Sequence, residues 1–238
     1  MAYRAFLDRL GNPAFVHRHV FDLILRDDLK GIQHFDGFIR KNINNPSPYH
    51  QNYTFIQYAC VLGRVRIFNH IMNIIREEEL CAMHPTLLTD ILRCTRISDN
   101  DICYFTTQLL MEYGTQLLYT PHQVYETLRA VIERQDDHTD LIHHIMKLKH
   151  ADPEQKDLLH LAVGLNQYGI VRTLITCYGF DPNHIRKWDD GHTLSMVNTK
   201  RMGDLLFELG AKIDERSSLY HSRLIELIVN IPPEPKER

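Results

Sequence analysis

Apolar residues between positions 157 and 183 recur at helical spacing and predict two short helices joined by a turn. The stretch reads DLLHLAVGLNQYGIVRTLITCYGFDPN, and its first part crowds Leu, Ala and Val onto one short helix. From Ile170 to Ile175 the apolar positions form a single stripe on a second helix. Gly179 then stands where a residue with positive φ ends a helix. The stretch therefore reads as a complete helical pair.

A second stretch, NYTFIQYACVLGRVRIFNHIM at positions 52–72, repeats this pattern. Thr54 is placed to cap the first helix through its hydroxyl, and Gly63 is placed to end it. Ala59 is the small residue that lets a neighbouring helix approach, and an apolar stripe from Ile67 to Ile75 predicts the second helix. Helices this short cannot bury their apolar faces alone, so the pair has to stack on copies of itself.

Copies recur along the chain with a period of about 33 residues. The segment LLMEYG closes at Gly114 and LITCYG closes at Gly179, close to two periods later. Small residues of the successive first helices keep a similar spacing, at Ala59, Cys94, Ala130 and Ala162. The sequence therefore predicts an array of stacked helical pairs.

These segments resemble the ankyrin-repeat family, whose motif runs Thr-Pro-Leu-His-x-Ala, then Gly, then Leu-Leu-x-x-Gly-Ala. Residues 157–162 match the Leu, His and Ala of the motif, and residues 54–59 match its Thr and Ala. Residues 209–214 match the closing segment, while no unit carries the Thr-Pro pair intact. The resemblance implies a degenerate ankyrin array over about residues 52–214, and a generic α-solenoid is the alternative.

The predicted fold is all-α, an ankyrin-like helical solenoid with helical caps at both ends. We expect an N-terminal helical cap at 1–45, ankyrin-like repeats at 46–216, and a C-terminal capping helix and tail at 217–238. Apolar stripes at positions 6–10, 15–24 and 32–39 predict the helices of the first cap, and Pro232-Pro233 stops the last helix.

Composition narrows the range of partners and compartments. The net charge of −3 and the lack of a Lys/Arg stripe on any predicted helix argue against DNA or RNA as a ligand. Five cysteines at irregular spacing suit buried thiols in a reducing compartment. No apolar run is long enough for a signal peptide or a membrane span, so the sequence predicts a cytosolic location.

Histidines and cysteines are the only candidates for catalytic or metal chemistry, and no cofactor is expected. His138, His143 and His144 lie near several aspartates, but their spacing does not place them on one helical face. His160 is a possible base for Cys177, although the resemblance favours a structural His that hydrogen-bonds backbone in the neighbouring unit. Catalysis is not predicted, and an enzyme or metalloprotein assembled from scattered His and Cys is the alternative.

Connectors between the helical pairs supply the predicted partner-binding residues. Trp188 is the only Trp, and Trp and Arg are enriched where interfaces gain most of their binding energy. The alternative is that its ring packs on the adjacent finger and stiffens the hairpin. The predicted binding residues follow one edge of the array: His184, Arg186, Lys187 and Trp188 in one connector, Tyr49, Gln51 and Asn52 in a second, and Tyr119 and His122 in a third.

The predicted function is that of a protein-binding module or adaptor, which recognises a protein partner through hairpin fingers and the concave face of an ankyrin array. Degenerate ankyrin arrays with helical caps also resemble those of secreted bacterial effectors that act on host proteins. That resemblance implies a second setting, the host cytosol after secretion.

Overall fold

Helices account for most of the chain that the structure describes. The computed structural model describes residues 11–75, 87–94, 98–117, 120–134, 138–148, 157–185 and 192–213. These ranges contain twelve α-helices and one 3₁₀ turn, and their only β pairing is an isolated bridge. The predicted all-α class is confirmed. No helix within the same ranges is both long enough and apolar enough to cross a bilayer.

The chain forms two compact units, residues 1–119 (unit 1) and 120–238 (unit 2). The division falls inside the segment 46–216, which the sequence predicts as one array. The predicted boundaries at 45 and 216 stay predictions, and the C-terminal capping helix predicted at 217–238 lies outside the described residues.

Unit 1 contains the first seven described helices. They are α1 (Pro13–Leu25), α2 (Leu29–Gln33), α3 (Asp36–Lys41), α4 (Phe55–Val61), α5 (Val65–Ile74), α6 (Leu87–Arg93) and α7 (Asp99–Leu117). In unit 2 the order is α8 (Pro121–Glu133), α9 (Thr139–Leu148), α10 (Asp157–Gly164), α11 (Tyr168–Tyr178), a 3₁₀ turn (Thr193–Met196) and α12 (Lys200–Glu208).

Helix α7 corrects one prediction. Its backbone continues through Gly114 to Leu117, whereas the sequence pattern closes the unit at Gly114. An interior glycine costs a helix only about 1 kcal/mol, so this residue does not stop the helix by itself. The next helix starts at Pro121, which has no N–H to continue a preceding helix.

Two first helices begin with the same reciprocal cap. The Gln57 N–H donates to Thr54 Oγ1 at 3.4 Å, and the Thr54 N–H donates to Gln57 Oε1 at 2.8 Å. Thr120 and Gln123 form the same capping box at the start of α8. Each box satisfies two N–H groups that the start of a helix leaves open. The predicted capping role of Thr54 is confirmed.

The turn between the two helices of a pair has the same geometry at three places. Asp27, Gly63 and Asn166 adopt φ values of 58°, 64° and 57°. At Gly63 the N–H donates to Cys60 O, and the following N–H, from Arg64, donates to Ala59 O; Asp27 and Asn166 sit in the same pattern. One left-handed residue thus lets each helix fold back on the last. The predicted cap, residues 1–45, therefore contains the same turn as the predicted repeats.

Hydrogen bonds join successive pairs of unit 1 at a nearly constant sequence separation. The Gln57 amide donates to Asp90 Oδ2, 33 residues further along the chain. The Asn69 amide and the Tyr104 hydroxyl bond to each other over 35 residues. Both separations lie near the period predicted from the apolar pattern. Successive helical pairs of this unit therefore stack in register.

Unit 2 shows the same register. His143 Nδ1 and the Tyr178 hydroxyl lie 2.7 Å apart over a separation of 35 residues. The predicted small packing residues Ala130 and Ala162 are 1% and 0% exposed, where α8 packs against α10. Stacked helical pairs are therefore present in both units, while membership of the ankyrin family stays a prediction.

Candidate functional site

Residues 47–53 form a closed loop, here called the Tyr49 loop, that presents Tyr49 to solvent. The Ser47 N–H donates to Tyr53 O at 3.0 Å, and Ser47 O accepts the N–H groups of His50 at 3.1 Å and Asn52 at 3.0 Å. Ser47 is fully buried, whereas the Tyr49 side chain is 75% exposed. The loop thus holds an aromatic ring in solvent on a backbone that its own hydrogen bonds keep in place.

Gln51 and Asn52 give the loop its reversal of direction. The backbone of both residues adopts the left-handed conformation, with φ values of 56° and 58°, although neither is a glycine. A non-glycine residue in this region costs roughly 1–2 kcal/mol, so the surrounding hydrogen bonds must hold both residues in place. Both side chains are exposed beside Tyr49. Such strain is found more often at binding and catalytic sites than elsewhere.

Four aromatic side chains, here called the aromatic floor, fasten the loop to α1 and α4: Phe21, His50, Tyr53 and Tyr58. The His50 ring stacks on buried Phe21, with centroids 4.4 Å apart and planes 7° apart. Tyr58 meets His50 edge-on at 5.2 Å and lies 6.5 Å from Tyr53. Ser47 Oγ lies 2.8 Å from His50 Nδ1. These contacts give the loop a rigid base.

One cation and one anion border the aromatic floor. The Arg18 guanidinium lies over the Tyr49 ring at 5.9 Å from its centroid, within cation–π range. Burial lowers the pKa of His50; among smaller influences Asp22 raises it, and Arg18 and His17 lower it. Burial, helped by Asp22, raises the pKa of Tyr58. Burial therefore favours the uncharged forms of His50 and Tyr58, and the side chains of Arg18 and Asp22 lie beside them.

The remaining predicted binding residues divide between unit 2 and the undescribed segments. His122 is exposed in the first turn of α8. His184 is half-buried, with its ring 5.9 Å from the ring of His160, and an isolated antiparallel bridge pairs Ile185 with His192. The residues outside the described ranges are Tyr119, Arg186, Lys187 and Trp188. Among the predicted binding residues that the structure describes, Tyr49, Gln51 and Asn52 lie together in one loop. The alignment of all the predicted binding residues along one edge stays a prediction.

His160 is packed into the interior of unit 2. It is 1% exposed, and its Nε2 lies 3.4 Å from Thr193 Oγ1, 33 residues further along the chain. Cys177 is exposed at the end of α11, where its Sγ lies 3.6 Å from Thr176 Oγ1. The contact with Thr193 connects His160 with the 3₁₀ turn that precedes α12.

The histidines considered as metal ligands have other contacts. His143 bonds to Tyr178, and His144 Nδ1 lies 2.8 Å from the carbonyl oxygen of Asp140. Throughout the described ranges, no three His, Cys, Asp or Glu side chains are grouped closely enough to hold a metal ion.

Sequence reasoning missed the residues that support Tyr49. Arg18 and Asp22 are one helical turn apart on α1, and this spacing indicates a shared face. It does not indicate which loop crosses that face. Phe21 and His50 are 29 positions apart in the sequence, so no local pattern predicts that they stack.

Comparison with protein-family models, with curated proteins and with solved structures gave no match.

Proposed function

We propose that this chain is a protein-binding module and that unit 1 contacts the partner through the Tyr49 loop. The observation that carries the proposal is a tyrosine 75% exposed on a loop closed by its own hydrogen bonds. Tyrosine is enriched in protein interfaces because its ring supplies a large contact area and its hydroxyl a hydrogen bond. A loop that is already ordered also loses less conformational entropy on binding than a flexible one.

Arg18 and the aromatic floor supply the rest of the proposed contact. Tyr and Arg are two of the three residue types enriched in binding hot spots, and here they lie within cation–π range of each other. Tyr53 and Tyr58 are half-buried, so part of each side chain is accessible to a partner. Gln51 and Asn52 add exposed amides, which accept and donate hydrogen bonds at the rim.

The sequence adds further parts to the proposal. Connectors in unit 2 that carry His184 and Trp188, an ankyrin-type array, and an adaptor or inhibitor role in a cytosol, including a host cytosol, all belong to it. The support for these parts is sequence pattern and resemblance, whereas the support for the Tyr49 loop is its hydrogen bonds and ring contacts.

Position-specific crosslinking tests the proposed contact directly. A photo-reactive phenylalanine analogue replaces Tyr49 in one variant and Met111 in the other, and both are illuminated in cytosolic lysate. Met111 is the matched control because it lies in unit 1 and is 69% exposed. We expect a discrete protein adduct at position 49 and none at 111. Equal adducts at both positions, or none at 49, would contradict a contact through the Tyr49 loop.

Substitutions then measure the contribution of the two central side chains. For the partner identified by crosslinking, Tyr49→Ala and Arg18→Ala should each weaken binding by about 2 kcal/mol, which is roughly thirtyfold in Kd. Met111→Ala should leave Kd unchanged. Circular dichroism of each variant checks that the helices are intact, since the substituted side chains are all exposed.

A further inference from the structure

Unit 2 contains an open groove that is lined by the first half of α11 and by α12 along its length. Its volume is about 560 Å³, and residues of both helices line it. Three of the lining residues are basic, two are acidic and one is a tyrosine: Arg172, Lys200, Arg201, Asp204, Glu208 and Tyr168. The positive ends of two helix dipoles add to the basic character of the end that holds Lys200 and Arg201.

One arginine of the groove already holds a carboxylate. Arg172 Nη1 and Nη2 donate to Oε1 and Oε2 of Glu208, each at 3.3 Å. This is the two-pronged geometry in which a guanidinium binds a carboxylate. Both side chains are more than half exposed, at 51% and 62%. An exposed ion pair is worth little, so exchanging this internal carboxylate for one from outside costs little.

At the other end of the groove, an aromatic ring holds a second guanidinium in position. Arg201 lies over the Tyr168 ring at 4.5 Å from its centroid, and the Tyr168 hydroxyl lies 3.0 Å from Thr199 Oγ1. Cation–π attraction favours this position of the guanidinium over the ring and leaves its N–H groups available to bind a carboxylate. Within the described ranges, neither Arg201 nor its neighbour Lys200 contacts a carboxylate.

We propose that this groove binds carboxylate groups of an acidic segment of a protein partner. Lys200 and Arg201 take one carboxylate, and Arg172 exchanges Glu208 for another. Two lining carboxylates oppose the ligand, those of Asp204 and of the displaced Glu208. The groove lies in unit 2 and does not involve the Tyr49 loop, so this site is a second one, beyond the proposed function.

Fluorescence anisotropy tests the site with a short fluorescein-labelled peptide of alternating Glu and Gly. The same peptide with Gln in place of Glu is its neutral control. We expect the acidic peptide alone to bind, and to bind more weakly at about 0.15 M salt than at low salt because exposed charges are screened. No binding of the acidic peptide at low salt would overturn the proposal.

A charge-matched pair of variants locates the binding. Lys200→Gln with Arg201→Gln should weaken binding about tenfold, since charge-assisted hydrogen bonds are lost. Arg26→Gln with Lys30→Gln removes two exposed cations from unit 1 and should leave binding unchanged. If both double variants bind alike, the peptide is responding to overall charge and the groove is not its site.

A gain of affinity provides an independent check. Glu208→Gln removes the internal competitor for Arg172 and should tighten peptide binding about threefold. Glu133→Gln is the matched control, because it likewise releases an arginine, Arg129, from an ion pair elsewhere in unit 2. Equal tightening by both variants would contradict the exchange at Arg172. Competition by inorganic phosphate or a single-stranded oligonucleotide as strong as that by the unlabelled peptide would overturn the assignment to an acidic peptide.

Discussion

The Tyr125 hydroxyl donates a hydrogen bond of 2.9 Å to the Asp157 carboxylate, 32 residues further along the chain. Tyr125 lies on α8, and Asp157 is the first residue of α10, the next first helix of unit 2. Burial and this bond raise the pKa of Tyr125 to about 12. The bond therefore favours the protonated phenol and links two successive helical pairs.

Replacing Tyr125 with Phe should destabilise unit 2 at neutral pH. The variant loses a hydrogen bond to a charged group, and because the site is partly exposed we expect a loss of about 1 kcal/mol in the free energy of unfolding. Urea denaturation followed by circular dichroism measures it. No loss of stability would show that water replaces the bond without cost.

The same hydrogen bond should make the stability of unit 2 depend on pH in alkaline solution. The pKa of Tyr125 is higher in the folded state than its ordinary value of 10.0. Its stabilisation is therefore complete below pH 10 and disappears as the pH rises towards about 12. Over that range the wild type should lose more stability than Tyr125→Phe. Parallel losses in the two proteins would contradict the coupling.

Leu174→Asp should unfold unit 2. Leu174 is 0% exposed on α11, and a carboxylate there has to be buried without a partner or force the helix away from the core. We expect a loss of about 4 kcal/mol or more, with reduced helical circular dichroism. Leu165→Asp is the control, because Leu165 is 45% exposed and its substitution should change stability little. Similar losses in both variants would rule out burial as the cause.

Two Gly→Ala substitutions should have opposite effects. Gly179 ends α11 with φ of 70° and nothing lies within 4 Å of an added Cβ, so alanine adds backbone strain of about 1 kcal/mol without a clash. Gly37 is in α3, equally open, and has an ordinary negative φ. Alanine at this position should stabilise by roughly 0.5–1 kcal/mol because the unfolded chain loses freedom. Thermal denaturation of both variants measures the sign, and a shared sign would contradict the explanation.

Acid should weaken the attachment of the Tyr49 loop. Because the pKa of His50 is lowered in the folded state, its unprotonated form stabilises the protein above about pH 6.5, and this contribution declines as the pH falls below that value. Asp22, Arg18 and His17 are the charged and titratable groups that influence it. Between about pH 7 and pH 5 the wild type should lose more stability than His50→Asn. Equal losses would show that His50 titrates without affecting the loop.

The sequence by itself determined the elements whose causes are local. The period of about 33 residues follows from the recurrence of similar segments and of the small residues of successive first helices. Thr54 caps α4, and Gly63 and Gly179 end helices with positive φ, as predicted. Asp27 and Asn166 occupy the same left-handed position but were not predicted, because Gly is the only residue whose presence signals that conformation strongly.

Only the tertiary structure decided which side chains meet. Arg18 lies over Tyr49 and His50 stacks on Phe21 because a closed loop crosses the face of α1. In unit 2 the stacking of α11 on α12 brings Glu208 onto Arg172, 36 residues away in the sequence. Local periodicity determines which face of a helix is buried. The partner across that face depends on how distant segments pack and on side-chain rotamers, and neither is encoded in local spacing.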